Sequence, residues 1–325
     1  MLSVIIPAYN EQENIRNTAK VIGGILTENS IEYELMFVDD GSADDTWQII
    51  EELSSQDSSV RGLRFSRNFG KEGAVFAGLR RCRGDCAVVI DCDLQHPPEL
   101  IPQMLQLHDE QGYEVVEAVK SSRGKEGLMY KMFAKSFYRI MKGSSNVDLD
   151  RASDYKLMDR KVIDALNEMP ERITFFRALS SWVGFRTTKI EFDVAPRNAG
   201  TSKWSFKKLM KFALNNITSF TNFPMQIITW LGVLFFIFAV VMGIQSLVNF
   251  FSGRALEGFT TVYMLVLLTG AFIMIGLGII GYYMSKIYEE IKFRPRYIIS
   301  VDTLDKEKRK NKTGKDNSDN NGEND

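Results

Sequence analysis

Asp91 and Asp93 are the residues whose type and spacing most suggest chemistry, because the apolar run Val88-Val89-Ile90 stops abruptly at them before Leu94-Gln95-His96-Pro97-Pro98. The residues from Ala87 to Ile90 suit a strand covered on both faces, and Pro97-Pro98 cannot continue a ladder but suits a helix start. Acids two apart in an extended segment point to one side. At the carboxyl end of a strand in an open α/β sheet they would stand where such folds bind ligands. They would repel each other unless a cation lay between them, and hard oxygen ligands suit Mg2+ or Mn2+ carrying substrate phosphates. A pair of solvated turn aspartates would have the same spacing, so the pattern has to be weighed with its neighbours.

The elements that would position these acids alternate. The sequence predicts strands over 2–7, 34–38 and 60–65, with helices over 12–26, 44–53 and 72–81. Further strands are expected over 113–119, 154–158 and 187–192, and helices over 128–141 and 160–167. Such alternation implies βαβ units, a mostly parallel sheet and a ligand crevice lined by the loops after the strands. The turn Ala8-Tyr9-Asn10-Glu11, the segment Asp39-Asp40-Gly41-Ser42 and the loop Arg67-Asn68-Phe69-Gly70-Lys71 all fall at such ends.

Composition divides the chain. Its 325 residues are 45% hydrophobic, with 40 Lys+Arg against 41 Asp+Glu, and that near-neutral average gives no reason to expect a nucleic-acid partner. Residues 1–200 read as a soluble domain, whereas the uncharged apolar runs 227–251 and 259–284 each exceed the roughly 20 residues that cross a bilayer as a helix. Between them in the domain plan, 201–224 reads as an interfacial amphipathic helix: Lys203, Lys207 and Lys211 recur every four residues opposite Phe206, Leu209, Met210, Ala213 and Ile217. Lysines precede the first span, and Lys286, Lys292, Arg294 and Arg296 follow the second, while the linker 252–258 carries only Arg254 and Glu257. Positive charge belongs inside, so a transmembrane hairpin over 225–290 is expected with both termini cytoplasmic. Leu2 begins a strand pattern rather than a signal peptide, and Cys82, Cys86 and Cys92 lack metal spacing and suit reduced thiols. Residues 291–325 are assigned to a cytoplasmic tail, disordered from Val301 on account of its charge and Asn content.

Three motifs in order, Val4-Ile5-Ile6-Pro7-Ala8-Tyr9-Asn10-Glu11, Val38-Asp39-Asp40-Gly41-Ser42 and Asp91-Cys92-Asp93-Leu94-Gln95-His96-Pro97-Pro98, resemble family 2 glycosyltransferases of the GT-A (Rossmann-like, nucleotide-sugar-binding α/β) fold. Arg67-Asn68-Phe69-Gly70-Lys71, the segment from Ser153 to Arg160 and the paired apolar spans narrow the resemblance to polyprenyl-phosphate glycosyltransferases, among them bactoprenol glucosyltransferases and dolichol-phosphate mannose synthases. The resemblance implies that Pro7, Tyr9, Glu11, Val38 and Asp40 hold the donor nucleoside, and that Asp91, Asp93 and Gln95 form the metal and diphosphate site, with Asp91 and Cys92 also among the donor-binding residues and Asp91 open between the metal and the donor sugar or ribose. Arg197 and Lys203 match a basic loop over the donor diphosphate, and Arg123, Lys131 and Lys135 are the candidates for the acceptor phosphate. The two lysines of that set are one helical turn apart. His96 is open between a metal ligand and a loop or helix-cap role. Asp154 matches the catalytic base, although a phosphate monoester with a second pKa near 6 is mostly a dianion at pH 7 and needs little deprotonation.

These readings converge on transfer of a hexose, with inversion, from a nucleotide sugar to a polyprenyl phosphate at the cytoplasmic membrane face, with a divalent cation, Mg2+ or Mn2+. UDP-glucose is the first donor expected; UDP-N-acetylhexosamine, UDP-galactose and GDP-mannose remain alternatives. Membrane lipid, and a flippase or downstream glycosyltransferase, are the expected partners. Gly270, Gly276, Gly278 and Gly281 make homo-oligomer formation an expectation too. A processive polysaccharide synthase and a non-catalytic scaffold are the more distant readings. Asp154→Asn is expected to lose most turnover while donor binding survives; unchanged sugar transfer in a labelled-donor assay would refute the catalytic assignment.

Overall fold

The computed structural model describes residues 1–121, 153–169, 175–192, 223–252 and 259–305. It divides into two compact units, one built from Met1–Lys131, Val147–Ser202 and Pro295–Asp325 and the other from Met132–Asn146 and Lys203–Arg294.

The first unit contains an eight-stranded sheet. Strands β1 (Leu2–Ala8), β2 (Tyr33–Asp39), β3 (Val60–Phe65) and β4 (Cys86–Val89) alternate with helices α1 (Ile15–Glu28), α2 (Thr46–Gln56) and α3 (Lys71–Arg81). These four strands are parallel to their neighbours in the order β4-β1-β2-β3, and almost every residue in them is buried, as strands covered on both faces must be. Helix α3 lies close on β1 because Gly78 has no side chain: a Cβ there would come 2.3 Å from Ile5 Cγ2. After α4 (Ile101–Gln111) come β5 (Val115–Lys120), β6 (Lys156–Asp159), α5 (Arg160–Glu168), α6 (Phe176–Trp182) and β7 (Thr187–Phe192).

The sheet is mixed rather than mostly parallel on this side. β6 lies between β4 and β5 and runs antiparallel to both, while β7 is parallel to β5. Reversal of β6 puts its amino end, where Asp154 and Tyr155 enter, at the edge where β4 ends. Val89 faces Lys156 across the ladder, so Asp91 and Asp154 each lie two residues beyond one paired position.

The other border of the sheet corrects the reading of the tail. Residues from Val301 were expected to be disordered; instead β8 (Ile299–Asp302) pairs antiparallel with β3, and 303–305 continue as a helical turn. Composition missed this because the strand is held by particular contacts. Arg61 grips Asp302 with Nε and Nη2 at 3.3 and 2.8 Å, both side chains being buried. Gly62 N–H donates to Thr303 Oγ1, and Tyr297 stacks on Phe65 with ring centroids 5.2 Å apart. Residues 306–325 lie outside the described residues, as does the juxtamembrane segment 201–222.

The second unit contributes α7 (Phe223–Phe251) and α8 (Phe259–Ile291). Within them, Ile228–Gln245 and Met264–Ile291 have mean hydropathies of 2.2 and 2.4, so both helices are long and apolar enough to cross a membrane. They touch through Phe235 and Phe272, whose centroids are 5.3 Å apart, and otherwise expose large apolar side chains such as Leu234, Phe236 and Met274. α8 runs beyond the expected end at 284 through Lys286, Glu289 and Glu290.

The Arg61–Asp302 pair supplies a stability test. Asp302→Ala leaves a buried guanidinium uncompensated and is expected to cost about 3 kcal/mol or more. Replacing both partners with leucine is expected to cost less; a single variant that melts like the wild type in detergent would show that β8 adds nothing to the fold.

Candidate active site

A cavity of about 320 Å3 opens at the carboxyl ends of β1, β2 and β4, lined by residues that include Pro7, Tyr9, Glu11, Asp40, Lys71, Asp91, Cys92 and Asp93. Each wall has a local cause. The turn after β1 is tied to the loop after β2: Asn10 N–H donates to Ser42 Oγ, Ala43 N–H to Asn10 Oδ1 and Glu11 N–H to Thr46 Oγ1. Tyr9 projects from that turn with 47% of its surface exposed and lines the cavity.

Asp40 does more structural work than expected. Its oxygens accept from Phe69 N–H at 2.6 Å and Gly70 N–H at 2.8 Å, which draws the loop Arg67–Gly70 over the cavity and fixes the start of α3. Gly41 allows the close approach: its φ is +70° and a Cβ would lie 2.5 Å from the Arg67 carbonyl carbon. Burial raises the Asp40 carboxyl above its usual range, against the two backbone donors.

Asp91 and Asp93 do not share one side of an extended segment, because β4 stops at Val89 and a turn follows in which Leu94 takes a φ of +52°. Asp93 is exposed, and its Oδ1 accepts from Gln95 N–H at 3.1 Å. Asp91 points the other way in its contacts. Lys71 Nζ lies 2.6 Å from Asp91 Oδ1 and 3.0 Å from Asp154 Oδ2. Arg177, from α6, then holds Asp154 with Nε on Oδ1 at 2.7 Å and Nη2 on Oδ2 at 2.9 Å. Two carboxylates and two cations thus alternate along the edge of the sheet.

This chain of charges defines Asp154. Burial alone would raise its pKa, but the paired bonds from Arg177 and the charge of Lys71 outweigh it and hold the carboxyl well below the usual carboxylate range. Such a group is a firm anion and a poor proton acceptor. Lys71 is held charged in return: burial opposes its proton, and Asp154 and Asp91 more than compensate. The segment bearing Asp154 is fixed from beneath by a buried pair, Lys156 Nζ to Glu117 Oε1 at 3.3 Å, with Lys156 also donating to Ser180 Oγ and Ser153 N–H donating to Glu117 Oε1. Burial lowers the Lys156 pKa, against the attraction of Glu117.

His96 is packed between Tyr155 and Phe192, with ring centroids at 5.4 and 5.8 Å, and its Nδ1 is 3.9 Å from Asp91 Oδ2. Burial pushes its pKa down, so it is a neutral aromatic wall of the loop. Among the described residues no three His, Cys, Asp or Glu side chains are grouped to enclose a metal ion. A site for Mg2+ does not require such a cage, since that ion keeps waters and substrate phosphate oxygens beside one or two carboxylates. The exposed carboxylate of Asp93 at the cavity wall fits that mode, with Asp91 beside it; Gln95 is exposed but is not among the residues that line the cavity, and it meets Asp93 through its backbone N–H.

The sequence pattern of Glycosyl transferase family 2 matches residues 3–166. The chain belongs to glycosyltransferase family 2. Relatives agree along nearly its whole length. It is 37% identical over 302 residues to an uncharacterized glycosyltransferase, YkcC, of Bacillus subtilis (strain 168), covering 91% of this chain and 92% of that one. It is also 37% identical over 300 residues to the prophage bactoprenol glucosyl transferase homolog of Escherichia coli (strain K12), covering 92% and 98%. Among solved structures it is similar to glucosyl-3-phosphoglycerate synthase from Mycobacterium tuberculosis in complex with Mn2+ and UDP-glucose, at 22% identity and a TM-score of 0.44, over 67% of this chain and 77% of that one. By the family pattern and these two sequence relatives the protein is a glycosyltransferase enzyme, and two apolar helices follow its mixed α/β sheet domain.

Within that family 2 domain the cavity brings together Pro7, Tyr9, Glu11, Asp40, Asp91, Cys92 and Asp93. Val38 is fully buried in β2 and does not line it. Cys92 does, but its thiol is turned toward Thr18 and burial pushes its pKa up to about 12, so it serves as wall rather than as a nucleophile. Arg123, Lys131, Lys135, Arg197 and Lys203 lie outside the described residues. Three participants were not proposed from the sequence. Lys71 ends the Arg67–Lys71 motif and Glu72 follows it, where charge next to a glycine loop was a readable signal, whereas Arg177 lies 23 residues from Asp154 in a different element and only the fold brings the two together.

Glu72 lies behind the cluster, its Oε2 accepting from Phe176 N–H at 2.8 Å. Burial, reinforced by nearby Asp154, pushes its carboxyl from 4.5 up to about 7. The unfolded chain gives up this proton first, so the folded state loses relative stability as pH rises from 4.5 to about 7. Glu72→Gln keeps the neutral form and is expected to gain on the wild type in denaturant midpoint between about pH 5 and about pH 8; a constant gap across that range would show that Glu72 titrates normally.

Proposed function

We propose that this enzyme transfers glucose from UDP-glucose to a polyprenyl phosphate, with inversion at the anomeric carbon. One observation carries the reading: a single chain joins the donor cavity to two exposed apolar helices, and relatives matching 92% of it are named bactoprenol glucosyl transferases. One substrate is water-soluble and the other belongs to the bilayer, which explains the joining of a GT-A domain to apolar helices. Lys286 in the last turns of α8 and Lys292, Arg294 and Arg296 after it favour a cytoplasmic placement of the catalytic domain.

In the proposed reaction a phosphate oxygen of the acceptor attacks the anomeric carbon. The bond from that carbon to the nucleoside diphosphate breaks, and its electron pair leaves with the diphosphate. The acceptor is already a dianion at neutral pH and needs no strong base. Asp154, kept ionised by Arg177 and Lys71, instead stabilises the positive charge that develops on the sugar. Tyr9 packs on the donor base and Glu11 accepts from base or ribose donors. Asp93 and Gln95 would hold a divalent cation, which when bound neutralises charge on the departing diphosphate.

Membranes containing the protein, incubated with divalent metal and a panel of radiolabelled nucleotide sugars, test the proposal. Label from UDP-glucose is expected in a mild-acid-labile lipid, and Asp93→Asn is expected to reduce it about a hundredfold or more. Label from another nucleotide sugar would move the donor assignment. Label in polymer, or none from any donor, would overturn the reaction.

A further inference from the structure

Lys71 is the one cation among the described residues lining a cavity that also presents Glu11, Asp40, Asp91 and Asp93. A site meant for phosphorylated substrates needs positive charge. Yet this ammonium is engaged by two of the protein's own carboxylates, Asp91 at 2.6 Å and Asp154 at 3.0 Å. The two partners differ in what they would lose if Lys71 moved. Asp154 keeps both bonds from Arg177, which is bidentate and anchored in α6. Asp91 is half-buried at the cavity wall, beside Asp93, where leaving Lys71 would expose its Oδ1 to the cavity.

Lys71 is also the cheaper group to move. Its side chain is 42% exposed, against 13% for Asp154, and an ammonium on a four-carbon stem can reorient without disturbing the backbone. Asp40 fixes that backbone through Phe69 and Gly70, so only the side chain has freedom. The geometry points to Lys71 as a substrate-phosphate ligand held in reserve by Asp91 and Asp154: an arriving phosphoryl oxygen takes the ammonium, and Asp91 is released to the donor sugar or cation. The exchange is of one anion for another around a lysine that stays protonated. It links occupancy by phosphate to the availability of Asp91, so that Asp91 Oδ1 is freed only when a substrate is present.

The inference rests on the reaction proposed above, and the phosphate could belong to the donor diphosphate or to the acceptor monoester. Both are tested by binding to the full chain in detergent with Mn2+: UDP by calorimetry and undecaprenyl phosphate by thermophoresis. Lys71→Met is expected to weaken one of them about ten- to a hundredfold, with Lys71→Arg recovering most of the loss; a weakened UDP assigns the donor, and a weakened undecaprenyl phosphate assigns the acceptor. Lys71→Gln replaces the Met variant should that one fail to fold. If both dissociation constants stay within about twofold of wild type, including the case in which turnover alone falls, Lys71 is only a structural counter-charge and the inference is wrong. A wild type that does not bind undecaprenyl phosphate would refute the proposed acceptor instead, and the UDP measurement would then decide the role of Lys71 by itself.

Discussion

The antiparallel strand β6 is the constraint on which the active site depends. Four parallel strands with right-handed crossovers can present loops at one edge, but each loop there belongs to a strand that ends at that edge. A strand that begins there is needed to bring in a residue from a distant part of the chain, and β6 does this for Asp154. Its position between β4 and β5 sets Asp154 beside Asp91 by ladder register rather than by loop conformation. Backbone hydrogen bonds thereby fix the distance between two carboxylates that would repel each other in isolation.

That forced approach accounts for the cations around it. Lys71 and Arg177 come from the first residues of two different helices, and each answers a charge that the sheet has already placed. The lower layer repeats the device in buried form, with Lys156 and Glu117 paired across β5 and β6. An unpaired charge in either layer would be costly, so the layers are mutually dependent. The upper layer is partly open to water and can exchange partners; the lower one is closed and serves as foundation.

Much of this was legible in the sequence. The strands through β5, the alternating helices, both apolar helices and the strand at 187–192 follow from periodicity and composition, because burial on one or both faces leaves a local pattern. The cavity residues Tyr9, Glu11, Asp91 and Asp93 were readable for the same reason: they follow directly where apolar strands stop. Orientation of β6 was not, since a short run such as Lys156–Asp159 has the same composition whichever way it is inserted. Arg177 and Asp302 were hidden by distance along the chain, each answering a charge that no local window contains. Val38 shows the opposite failure, a residue beside the motif acids whose side chain the strand turns into the core.

The strand β8 gives the sheet a chronology. Its four residues are made after both apolar helices, yet they cover the outer edge of β3, which lies within the first 65 residues. During synthesis that edge stands unpaired, with its row of backbone groups available to any other extended chain. Completion of the soluble sheet therefore waits on passage of the apolar segment through the ribosome, and a chain stalled before residue 299 would carry an open β-edge. Synthesis of the apolar helices and closure of the sheet become successive steps of one maturation, with exposed edge as the mark of a chain that has not finished.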